Sequence, residues 1–360
     1  MRDFKIKSRF AQELSGFSGS PKAFRSLSED LGITPTGGRF WLYSAKDIRL
    51  IRLRLIKLNP HESRLQRVPP ILNFRMTKGG TGKTTIAANV ASTLAMMGYR
   101  ILMIDGDPQA SLTSLFGIDW VNEEITHIGE LMRHYYKKQS VNLKQAILPL
   151  YSGNMLDLIP SDITLADADS WLMGATNREA MFKRLLDTEM AFFSTYDAIV
   201  IDSAPGTTLL TNTLMFACNT LIAVVWLDGQ SIEAMRVLAS NVAELNTAFA
   251  SSGFHLNVHI VANGLHQGYQ SCKDALATLQ SAYPNHVNDN VIPHSASFMR
   301  QMNLFERKDS GPVLEREPAS VGTRAIIDLT KSLVKKYDIQ LDGSTEEVRP
   351  VDSMSTAPGK

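Results

Sequence analysis

The stretch "PPILNFRMTKGGTGKTTIAANVASTLAMMG" (69–98) restricts the chain to few folds. An apolar run, "PPILNF" (69–74), enters a loop with three glycines and two lysines. A helix-length segment follows, "KTTIAANVASTLAMMG" (83–98), with apolar residues at helical spacing and Gly98 placed as a C-cap. Strand, glycine-rich turn and helix in this order aim backbone N–H groups and a helix N-terminus at one point, an arrangement suited to phosphate oxygens. Lys83 and Thr84 occupy the last two places of G-x-x-x-x-G-K-[ST], but its first glycine falls at position 77, where this chain has threonine. Instead a second lysine, Lys78, precedes Gly79 and Gly80 inside the loop.

The rest of the chain supports one large α/β domain with a smaller one before it. From Val68 onward, short apolar runs alternate with helical patterns, the signature of a parallel sheet covered on both faces. The strand candidates are 69–74, 100–105, 155–160, 197–202, 221–227, 256–263 and 288–293. The expected class is therefore α/β, a mostly parallel, doubly wound P-loop NTPase sheet over 68–340 with a small N-terminal helical, winged helix-turn-helix-like domain over 1–67. Residues 341–360, polar and without periodicity, are expected to form a disordered tail. Two widely separated cysteines, Cys218 and Cys272, do not make a disulfide framework or a zinc site. His255 and His259 lie on a strand pattern, so metal-ligand spacing on a helix is not implied. With no run of 18 apolar residues and no signal peptide at the start, a cytoplasmic protein is expected.

The motif "KGGTGKTT" resembles the deviant Walker A motif of the ParA/MinD family of ATPases, K-G-G-x-G-K-T-T, at every specified position. Met76 stands where that family often has asparagine. "IDGDPQAS" (104–111) is similar to the family's first switch, and "AIVIDSAPG" (198–206) to its Walker B strand and second switch. "LIPSDITLADAD" (158–169), "VIPHSASFMRQM" (291–302) and "GPVLEREPAS" (311–320) extend the likeness to about 68–338. The resemblance implies ATP or ADP with Mg2+, held by Lys78, Gly79, Gly80, Thr81, Gly82, Lys83, Thr84 and Thr85. Asn263 and Pro293 would lie on the adenine side. Thr84, Asp105 and Asp202 would serve the metal, and Asp107 would orient the attacking water. Lys83 would act on the phosphates of its own subunit and Lys78 on those of the partner in a nucleotide-sandwich homodimer, as an arginine finger does.

The first 68 residues carry fourteen Lys and Arg against six Asp and Glu, so a net of +8 precedes a remainder of −7. Ser20 as N-cap with Pro21 at the first helical position, Gly32 as a stop, and a second cap at Ser44 with Asp47 predict two helices about a glycine-bearing turn. This order resembles the winged helix-turn-helix of MerR-like domains. It implies operator binding, with Arg39 in the wing and Arg49 and Arg52 on the following helix as DNA contacts. Candidates for nonspecific DNA are Arg300, Arg324, Lys331 and Lys335. The implied function is DNA segregation, of plasmid or chromosome, by a nucleoid-associated ATPase stimulated by a ParB-like centromere-binding partner, with repression of its own operon and no membrane involvement. The alternatives are a sequence-specific repressor or replication protein using nucleotide as a ligand, and nucleoid-based positioning of a protein cargo.

Overall fold

The computed structural model describes residues 1–35, 40–57, 67–301 and 310–342. The chain opens with β1 (Ile6–Lys7), α1 (Ser8–Ser15), α2 (Pro21–Asp30), β2 (Leu42–Tyr43) and α3 (Ala45–Leu55). The sheet strands follow: β3 (Ile71–Arg75), β4 (Ile101–Gly106), β5 (Leu148–Tyr151), β6 (Leu156–Ile159), β7 (Ala198–Ser203), β8 (Thr220–Trp226), β9 (Asn257–Leu265) and β10 (Ile292–Pro293). They form one sheet in the order β10-β9-β8-β3-β7-β4-β6-β5, parallel throughout except where β5 runs against β6. Helix α4 (Lys83–Met96) follows β3 directly.

The strands read as continuous apolar runs because both faces are covered. On one face Leu72, Phe74, Met103 and Val200 pack with Ile86, Val90 and Leu94 of α4. On the other, Ile71, Leu102, Ile104 and Ile199 pack with Leu210, Leu214 and Met235. From β3 the chain builds toward β4 and β6, returns with β7, and then lays β8, β9 and β10 on the opposite side. The reversal puts β3 beside the crevice where open parallel sheets bind ligands, beyond their C-terminal ends. The expected strands all form, though the last is only Ile292–Pro293 rather than 288–293. Strand β5 was not expected from the sequence; Pro149 weakens its pattern, and it is tolerated because β5 lies at the sheet edge.

At the N-terminus Ser20 caps α2, and Ser44 and Asp47 form a reciprocal capping box on α3, as their spacing predicts. Strands β1 and β2 pair antiparallel, Ile6 opposite Tyr43. Phe24, Tyr43, Ile48 and Ile51 are buried in the same apolar cluster as Ile86, Leu94 and Tyr99. The described residues of this N-terminal segment thus share a core with the sheet's α4 face. Arg2 clamps the opening residues down, bonding Glu315 and the Ser310 carbonyl at 2.6 Å each.

Helix α3 turns the two arginines expected at DNA toward the sheet domain, and for Arg49 this is a correction. Arg49, 3% exposed, ion-pairs with Asp197 at 2.6 Å and donates to the Gly98 and Asp342 carbonyls. Arg52 donates to the Met97 carbonyl and the Tyr99 hydroxyl, and stacks over the Tyr99 ring. Arg49 is thus buried against the sheet domain and away from DNA, while Arg52 is half-buried beside Met97 and Tyr99. Arg39 and most of the expected tail, 343–360, lie outside the described residues.

Candidate nucleotide site

Residues 76–82 join β3 to α4 at the C-terminal edge of the sheet. Gly80 (φ 74°) and Gly82 (φ 88°) take left-handed backbone conformations that side chains disfavour. Space is also short at Gly82, where a Cβ would stand 2.4 Å from the Asn263 side-chain nitrogen. Asn263, at the end of β9, donates that nitrogen to the Thr81 carbonyl at 2.9 Å, so it braces the loop from the side. Pro293 lies next to it on β10, whose Ile292 pairs with Asn263. Gly79 and Gly80 are exposed, and Thr84 and Thr85 half-buried, at the start of α4.

The two loop lysines occupy different environments. Lys83 is 6% exposed, and burial lowers its pKa against the opposing pull of Asp202 and Asp107. Lys78 points away from its own loop. Its Nζ contacts Asp228 Oδ2 at 3.1 Å and Ser231 Oγ at 3.3 Å, where β8 passes into the helix Gly229–Ala248.

Three aspartates line the same edge. Asp105 and Asp202 are register partners on β4 and β7. Asp105 accepts from the Thr113 hydroxyl (2.7 Å) and backbone (2.9 Å) and from the Asp107 N–H (3.2 Å), so it shapes the loop that follows β4. Burial pushes its pKa up to about 7. Among the described residues no hydrogen bond of normal geometry reaches either buried oxygen of Asp202, and burial, with Asp105 adding to it, pushes its pKa up to about 8 against the pull of the Thr84 hydroxyl and Lys83. A buried carboxylate left bare in this way is suited to a cation. No group of three or more His, Cys, Asp or Glu among the described residues could hold a metal alone. Magnesium at phosphate sites, however, takes one or two carboxylates together with phosphate and water oxygens. The residues therefore fit a magnesium–nucleotide pair. Asp107, 9% exposed, accepts from the Gln109 N–H at 2.9 Å, while the Ser161 hydroxyl bonds its carbonyl at 2.8 Å.

The other candidate cations are spread apart and mostly paired. Arg300 forms two 2.7 Å bonds to Glu317. Arg324 and Lys331, on the helix Val321–Lys336, both bond Glu13 of α1, and Lys335 on that helix is exposed. Sequence reasoning missed Asp228, which reads as an ordinary helix cap, and Arg75, a charge closing an apolar strand.

The sheet and its loop define a P-loop NTPase of the deviant Walker A kind. Residues 70–254 match a family model described as "AAA domain". Sporulation initiation inhibitor protein Soj of Bacillus subtilis is 30% identical over 268 residues, 73% of this chain and 97% of Soj. Cell division protein PomZ of Myxococcus xanthus is 28% identical over 307 residues, 84% of this chain and 89% of PomZ. Among solved structures, an ATP complex of a Cyanothece McdA variant shares the fold, with a TM-score of 0.61 at 18% identity over 74% of this chain and 97% of that one. The chain belongs to the ParA-type family of partition ATPases. No helix among the described residues is long and apolar enough to cross a membrane.

Proposed function

We propose that this chain is a DNA-segregation ATPase whose ATP-bound form is a homodimer on nonspecific DNA, released when a ParB-like partner stimulates hydrolysis. The observation that carries this reading is the division of labour between the lysines. Lys83 is buried beside Asp202 and Asp107, while Lys78 is turned out of the loop onto Asp228. A cation that leaves its own phosphate cradle is free to serve another subunit's, since the Lys78–Asp228 pair, at 29% and 42% side-chain exposure, is a weak surface ion pair of about 0–1 kcal/mol. Beside the first switch, Ile163 is 64% exposed two residues beyond Ser161, which offers apolar surface to a second subunit.

In this mechanism the loop N–H groups and Lys83 would hold the phosphates, and Thr84 and Asp202 would hold Mg2+, which would supply charge neutralisation for them. Asp107 orients water, and Asp105 fixes the switch that carries it. Asn263 and Pro293 flank the loop where the base would lie. The test is gel filtration with ATP and Mg2+, alongside nucleotide binding. Lys83→Ala is expected to lose binding; Lys78→Ala is expected to bind ATP yet neither dimerise nor hydrolyse. Normal dimers of Lys78→Ala would refute the assignment.

A second, compatible activity is operator binding by the N-terminal segment, a repressor's role. Its favouring observation is a cavity of about 590 Å³ lined by Lys7, Arg9, Arg25, Phe40 and Trp41, with Phe40 69% exposed. Lys7, Arg9 and Arg25 have no ion-pair partner among the described residues, so this face, rather than α3, suits phosphates. Because the segment shares its core with the sheet, charge reversal at Arg9 and Arg25 tests it better than truncation. Footprints on the chain's own upstream DNA should vanish while ATP-dependent binding to random DNA persists.

A further inference from the structure

Arg75 ends β3 one residue before the loop and is fully buried. Its Nη2 donates to the Gly206 carbonyl at 2.7 Å, and its Nε and Nη1 have no partner among the described residues. Gly206, at the end of the second switch, is thereby held twice by the strand-to-loop junction, because its own N–H donates to the Thr77 carbonyl at 3.1 Å. It has a left-handed φ of 86° with open space around a would-be Cβ, so the glycine is needed for its conformation rather than for room. Burying a guanidinium against one carbonyl is unfavourable, and an apolar side chain of similar volume would often serve stability better. Burial lowers the Arg75 pKa to about 10, which still leaves it charged at neutral pH.

We propose that Arg75 is a positioning residue for ATP hydrolysis, holding the Gly206 carbonyl so that the second switch stays in register with the phosphate loop. The inference rests on the ATPase reading of the site. Arg75 grips the carbonyl side of Gly206 and Thr77 the N–H side. When nucleotide enters, the N–H side can turn toward the loop while the carbonyl stays anchored, so the switch moves about a fixed point. Lys83 and Asp107 would then meet a switch already placed.

The test uses full-length protein carrying Arg75→Met and Arg75→Lys, with three readouts: ATP affinity, single-turnover hydrolysis, and amide exchange across residues 203–207. Arg75→Met is expected to bind ATP within about 3-fold of the parent while turnover falls on the order of 10-fold or more, and Arg75→Lys is expected to recover part of that loss. Exchange at Gly206 is expected to quicken in Arg75→Met alone. The proposal is overturned if Arg75→Met leaves turnover unchanged, or if affinity and turnover fall together with thermal stability in both variants, which marks a purely structural arginine. Should the parent itself not hydrolyse ATP, the ATPase reading fails. The exchange readout still decides whether Arg75 holds the switch, and unchanged exchange at Gly206 sinks the proposal.

Discussion

Asp107 lies on a switch that Asp105, Thr113 and Ser161 already brace, so its side chain is set in place by the strand edge below it. Asp107→Ala should therefore bind ATP and dimerise, but its turnover should drop on the order of 10²-fold, with the ATP form retained on DNA. Loss of ATP binding in that variant would make Asp107 structural instead. His259 allows a pH prediction. It is 2% exposed, its Nε2 lies 3.0 Å from the Asn288 side-chain nitrogen, and burial, helped by Lys336 and His286, lowers its pKa to about 4. An amide nitrogen only donates, so the ring is neutral in the fold. Since the folded pKa lies below the unfolded value of about 6.5, the neutral ring's contribution is fully present above pH 6.5. It is lost as pH falls toward 4, on the order of 1–3 kcal/mol in all. Urea unfolding at pH 7 and pH 5 should show a larger loss for the parent than for His259→Gln; equal losses would remove His259 as the cause.

At the scale of elements, α3 is the joint between the N-terminal segment and the sheet. Its start was legible, because Ser44 and Asp47 at capping-box spacing fix a helix end through local hydrogen bonds alone. Which face it buries was not. Arginines three residues apart, Arg49 and Arg52, look equally like a DNA stripe or a docking stripe until the partner surface is known, and here Asp197, the Gly98 carbonyl and Tyr99 supply that surface. Gly98 shows the closeness of the fit: a Cβ there would stand 2.9 Å from the Arg49 Cα. Arg49→Met should destabilise the protein by about 3–5 kcal/mol, because the buried Asp197 carboxylate loses the guanidinium that faces it. Arg49→Met with Asp197→Asn should recover much of this. A denaturant titration reporting less than about 1 kcal/mol for the single change would mean the pair is solvated in solution.

At the scale of the molecule, α1 rests against the C-terminal helix Val321–Lys336 through Glu13, which bonds both Arg324 and Lys331. The arginine's hydrogen bond first, then the lysine's, holds the Glu13 carboxyl below the usual carboxylate range despite its partial burial. If these cations meet nonspecific DNA, Glu13→Gln should tighten binding to random duplexes about 2- to 10-fold at low salt. It should also steepen the fall of affinity with salt, since two more charges become available to release counterions. Unchanged binding would place the DNA surface elsewhere, with Lys335 and the Lys7, Arg9 and Arg25 face the next to test.

By itself the sequence determined the class of fold and the place of the phosphate loop. Apolar period, glycines and caps act within a few residues, and "KGGTGKTT" between a strand and a helix has few structural solutions. The tertiary structure decided what each exposed-looking charge is for. It sank Arg49 and Arg52 into a joint, set Lys78 on Asp228 outside its loop, left Asp202 bare, and tied Arg75 to Gly206, 131 positions away. A side chain's burial and partner depend on residues far off in the chain, and no local pattern carries that information.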